Sequence, residues 1–67
     1  MDIGQSLRVA LAMRNKKATE LAKETGLGDS YLSLVRRGHR VPSLEVVKMM
    51  AEGLDFKASE FIALGEK

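Results

Sequence analysis

Residues 18–37, ATELAKETGLGDSYLSLVRR, hold two short helical stripes on either side of a glycine-bounded turn, and the fold follows from how those stripes must pack. Ala18, Leu21, Ala22 and Thr25 recur on one helix face, and Gly26 then suits the left-handed residue that closes a helix. After Leu27 and Gly28, Leu32 and Val35 lie three apart on one face of a second helix, which Gly38 ends. Ala22 is small where two helices approach, while Leu21, Leu27, Leu32 and Val35 supply a shared core. These are the demands of two helices crossing steeply across a tight turn. With Leu32 and Val35 inward, Asp29, Ser30, Ser33, Leu34 and Arg37 face outward.

Upstream, Ile3, Leu7, Ala10, Leu11 and Arg14 keep helical spacing, and Asp2 followed by Gln5 reads as a helix start. Downstream, Pro42 breaks the chain and Ser43 offers an N-cap. Leu44, Val47, Met50, Ala51 and Leu54 then form an apolar face, and Phe61, Ile62 and Leu64 a shorter one closed by Gly65. The expected helices run over about 3–14, 18–25, 29–37, 44–54 and 57–64. No strand alternation, repeat or long linker interrupts them. The expectation is therefore an all-α fold, one compact five-helix domain spanning 1–67 with its helix-turn-helix at helices 2 and 3.

At 67 residues only one small core fits, and with no cysteine it must be held by helix packing. No apolar run approaches the roughly 20 residues that span a bilayer, and the N-terminus lacks a signal-peptide layout, so a cytoplasmic protein is expected. The net charge of +2 hides an asymmetry. Residues 1–40 carry eight Lys/Arg against four acids, and residues 41–67 carry three against five, giving +4 and −2. A basic half suits a phosphate backbone and leaves the other half for a different contact; a merely solvated surface is the plainer account of the charge taken alone. One histidine without cysteine gives no metal site, no carboxylate pair or nucleophile suggests an enzyme, and no cofactor is expected. Met13, Met49 and Met50 read as gap fillers. Leu34, set among Ser30, Ser33 and Arg37, has no core to enter, and a thymine methyl would explain it.

The pattern ELA at 20–22, GLG at 26–28, Ser33 and then GHRVPSL at 38–44 resembles the phage lambda repressor and Cro type of helix-turn-helix DNA-binding domain (XRE-like, Cro/C1-type), over about residues 3–62. The resemblance implies a five-helix fold and a regulator that reads double-stranded DNA in the major groove. Position by position, it puts Asp29 and Ser30 nearest base edges, adds Ser33, Leu34 and Tyr31 as groove contacts, and sets Arg37 on phosphate. Arg40 would reach a guanine edge or phosphate, with His39 beside it, and Lys16, Lys17 and Thr19 would place the start of helix 2 on the backbone.

Three departures from the family pattern bear on this. Lys17-Ala18 stands where relatives carry Ser-Gln, removing a capping hydroxyl and an amide contact that lysine charge would replace. Gly28 stands where Ser or Thr caps helix 3, so Asp29 is either the cap or a base reader. Arg36 replaces a frequent Glu and adds positive charge. Tyr31 taken alone reads as a half-buried amphipathic ring.

One recognition helix makes too few contacts for selective binding, so a homodimer on a palindromic operator is expected, with Phe61, Ile62 and Leu64 of helix 5 as its interface. No second domain is expected to bind a small-molecule effector, and regulation would be by operator occlusion, in the manner of a phage or prophage repressor. The alternative readings are an antitoxin that autoregulates its promoter and binds a toxin, or an interaction module that has kept the fold.

Overall fold

The computed structural model describes residues 2–66, and these form five helices: α1 (Ile3–Met13), α2 (Ala18–Thr25), α3 (Asp29–Arg36), α4 (Leu44–Gly53) and α5 (Ala58–Ala63). The expected all-α architecture is what forms. Each start has its own chemistry. The Asp2 carboxylate accepts from Gln5 N–H at 3.0 Å and Ser43 Oγ from Val46 N–H at 3.4 Å, so both predicted side-chain caps are present. Lacking a hydroxyl at Lys17, α2 relies on Glu20, whose carboxylate reaches back to accept from Lys17 N–H at 2.9 Å; α5 repeats the device with Glu60 and Lys57 at 3.0 Å.

A single core joins all five helices. Ile3, Leu7, Ala10 and Leu11 come from α1, Leu21 and Ala22 from α2, Leu32 and Val35 from α3, Val47, Met50 and Ala51 from α4, with Leu54 and Phe61 completing it. Helix α1 packs on α3 and α5, α2 packs on α3 and α4, and α4 packs on α5. The α2–α3 elbow is thus braced from both sides. Gly26 turns it with φ +78, and Gly38 follows α3 with φ +82.

Among the described residues, two non-glycine residues also take positive φ, Asn15 at 52° and Asp55 at 62°, each just past a helix end and each of a type that tolerates that region. Arg14 ties these turns together. Its Nε donates to the Leu54 carbonyl at 2.8 Å and its Nη2 to the Asp55 carbonyl at 3.0 Å, with the guanidinium 4.1 Å from the Phe56 ring centroid. The residue expected in the apolar stripe of α1 is instead a polar clamp from α1 onto the end of α4.

Three apolar expectations need correcting. Phe61, expected at a dimer interface, is 0% exposed. Among the described residues it is the largest fully buried side chain, so its ring fills the core and offers nothing to a second copy. Leu44, expected inside, is 62% exposed because it sits at the first position of α4, where the stripe continued by Val47, Met50 and Ala51 has run past the core. Of the methionines expected to fill gaps, Met50 does so, whereas Met13 and Met49 are exposed.

Where α1 crosses α3 the backbones nearly touch. A Cβ on Gly4 would lie 2.8 Å from the Val35 carbonyl oxygen and 2.9 Å from that of Arg36, closer than real Cβ atoms come. In an ordinary helix, Gly to Ala stabilises by about 1 kcal/mol. Here Gly4→Ala is expected to do the reverse, destabilising by about 1–3 kcal/mol as α1 is pushed from α3, as measured by urea unfolding. An unchanged or raised midpoint would show that the helices can part without cost.

Candidate nucleic-acid interface

Helix α3 buries Leu32 and Val35, and at about 100° per residue this turns Ser30, Ser33, Leu34 and Arg37 away from the core. Asp29, Ser30, Ser33, Leu34 and Arg37 together line one open depression along the helix. Leu34 is half-buried, Ser30 and Arg37 are exposed, and Arg37 Nε lies 3.4 Å from the Ser33 carbonyl oxygen. The centre of the face therefore offers hydroxyls, an apolar side chain and a guanidinium, the mixture that base edges and phosphates require.

A second depression joins this face to the start of α2, lined by Lys17, Ala18, Thr19, Asp29, Ser33 and Arg36. The first N–H groups of a helix have no intrahelical acceptor. Here Lys17 N–H donates to Glu20 and Glu20 N–H returns to the Lys17 carbonyl, leaving those of Ala18 and Thr19, both on the wall of the depression. The positive helix end, Lys17 and Arg36 favour a phosphate in this depression, against the Asp29 carboxylate that shares it. Arg36 is the residue whose direction the sequence left open. Its spacing from Asp29 and Ser33, seven and three residues back, is the signal that places it on this flank.

Asp29 is the first residue of α3, and Gly28 holds the capping position with no side-chain hydrogen bond. Of its two readings, the cap is thereby removed. Its exposed carboxylate opposes a phosphate and accepts from donors such as a cytosine amine.

Not every expected residue joins this surface. Lys16 turns the other way: its ammonium sits 2.7 Å from Glu24 Oε1 and 3.2 Å from the Gly53 carbonyl oxygen, tying α2 to the end of α4. Its expected role on the backbone is corrected accordingly, since its charge already has a partner. Tyr31 is half-buried against the core, with the Arg40 guanidinium 5.7 Å from its ring centroid, so these two form a pair at the flank of α3. Arg40 borders a separate depression with Asp2, Ile3, Gly4, Gly38 and Val41. His39 is exposed, and its backbone N–H closes the end of α3 on the Leu34 carbonyl at 2.8 Å. Ile62 and Leu64, half-buried, pack against the core.

An elbow of two helices, with the second presenting an unburied polar face beside the open N-terminus of the first, has counterparts among known proteins. The family model described as helix-turn-helix matches residues 7–61, most of the chain. The chain belongs to the helix-turn-helix family of the lambda-repressor and Cro type. It is a DNA-binding transcription regulator of that family. This helix-turn-helix protein is also similar to the restriction-modification controller protein C.AhdI from Aeromonas hydrophila, with 33% identity, a TM-score of 0.83, and coverage of 90% of this chain and 91% of that one. No curated protein sequence is similar enough to count as a relative. Among the described residues, no helix is long and apolar enough to cross a membrane.

The two neighbouring lysines separate by measurement. Lys17→Ala is expected to weaken every duplex and lower the slope of log affinity against log salt by about 1, with stability unchanged. Lys16→Ala is expected to leave that slope alone and destabilise the fold by up to about 1 kcal/mol. A slope that falls only for Lys16→Ala would reverse the assignment.

Proposed function

We propose that the protein binds a two-fold operator as a homodimer, with α3 of each copy in the major groove, and controls transcription by occupying that operator. The observation that carries the proposal is the outward face of α3: four side chains of mixed chemistry that the core does not use, beside an unfilled helix N-terminus. Ser30, Ser33 and Leu34 read base edges, with Asp29 at the leading end. Lys17, Arg36, Arg37 and the N–H groups of Ala18 and Thr19 hold phosphates on either side. Tyr31 contributes by standing behind Arg40, which, with His39, meets the edge of the groove.

A dimer is required because one α3 supplies few contacts, and a two-fold pair reads half-sites about 34 Å apart. Likeness to C.AhdI supports a specific setting, control of restriction-modification genes, and we extend that role to this chain in preference to the phage or prophage setting. Occlusion of polymerase is the simplest mechanism for a protein that acts through operator occupancy.

Selection from random duplex DNA is expected to enrich a palindrome with half-sites one helical turn apart. Failure to enrich any sequence, with only weak salt-sensitive binding, would contradict the proposal. On the selected operator, Arg37→Ala is expected to weaken all duplexes by roughly tenfold, and Ser30→Ala to change the preferred base at one position of each half-site. Equal behaviour of the two variants would contradict the division into positioning and reading contacts.

A further inference from the structure

We infer that Asp29 determines specificity by repulsion: its carboxylate opposes the phosphates of any duplex, and a cytosine amine in the groove relieves that opposition. The inference rests on the reading of α3 as the groove helix given above. Two depressions lie along the outer side of the elbow, one reaching Lys17 and Arg36 and the other reaching Ser30 and Arg37, and Asp29 and Ser33 line both. Of these two shared residues only Asp29 is charged. A carboxylate thus stands where the groups suited to phosphate join the groups that face base edges.

The fold makes little use of that carboxylate. Asp29 is exposed, and Gly28 holds the capping position of α3 in its place. The ion pair among the described residues joins Lys16 to Glu24, so Asp29 is paired with neither Lys17 nor Arg36, although the three line one depression. A negative charge in the first turn does favour a helix, but any early position of α3 would serve that purpose.

The consequence follows from the charges. Lys17, Arg36 and Arg37 attract phosphates whatever the sequence, which by itself gives affinity without selectivity. A carboxylate beside them lowers that affinity for every duplex alike. In the major groove guanine and thymine present acceptors, adenine an acceptor beside its donor, and cytosine its N4 amine alone, so a carboxylate there is opposed by the first two and accepted by the last. One side chain thereby weakens binding to bulk DNA and favours one base, which widens the gap between operator and competitor from both sides.

Fluorescence anisotropy with the full chain tests this by comparing the parent with Asp29→Asn on the selected operator and on a random-sequence duplex. Asparagine keeps the size of the side chain and removes its charge, and circular dichroism checks the fold. The variant is expected to bind the random duplex at least roughly threefold tighter at about 0.1 M salt, a gain that shrinks as salt rises. Its preference for the operator over the random duplex is expected to fall roughly tenfold, and repeated selection to lose one cytosine from each half-site. A gain in affinity cannot come from a weakened helix, so its sign separates this role from one in folding alone. Random-duplex binding that is unchanged or weaker would overturn the inference, as would a cytosine preference kept by the variant, and either leaves α3 as the groove helix. A parent protein that prefers no sequence would overturn the reading of α3 and the inference with it.

Discussion

Everything on the reading face depends on the angle between α2 and α3, and that angle is fixed by a few buried side chains acting across one left-handed residue. Gly26 turns the chain, while Leu21 and Ala22 on one side and Leu32 and Val35 on the other are buried against each other. Because those four side chains lock α3, its remaining face has one possible direction. The open N–H groups at the start of α2 are brought beside that face by the same packing. A change in the elbow would move the outward side chains of α3 and the open N–H groups of α2 together.

The elbow is itself braced. Helix α1 holds α3 at the Gly4 crossing, and Arg8 Nη1 donates to the Arg36 carbonyl at the same place. On the other side Lys16 joins α2 to the end of α4, and Arg14 joins the ends of α1 and α4. Three cationic side chains close to the elbow, Arg8, Arg14 and Lys16, are thus committed to holding the fold, whereas Lys17, Arg36 and Arg37 make no such tie to another helix. Positive charge in the sequence is a poor guide to phosphate contact until the intramolecular acceptors are known.

Much of the fold was legible because the signals were local. Apolar spacing, the Asp2 and Ser43 caps and the glycines at 26 and 38 located the helices to within a residue or two, and the outward residues of α3 followed from Leu32 and Val35 alone. What sequence could not supply was anything set by distant partners. Lys16 and Lys17 are adjacent and chemically alike, yet a carboxylate and a carbonyl from two other helices decide that only one is free. Phe61 looked surplus because α5 was judged alone, whereas α1 and α4 leave a space that its ring fills. Leu44 matched the stripe of α4 by spacing, but spacing does not reveal where the core ends. The Asp29 ambiguity was resolved by backbone geometry at Gly28, one residue away.

The central claim is that α3, and no other helix, faces the DNA. Its most direct test is a backbone amide chemical-shift map of the protein titrated with its selected operator. The account predicts that the largest shifts cluster at residues 17–19, 29–30, 33–34 and 36–37, with the acidic outer surface of α4 and α5 around Glu52 and Glu60 unmoved. Largest shifts on that acidic surface, with α3 silent, would contradict it.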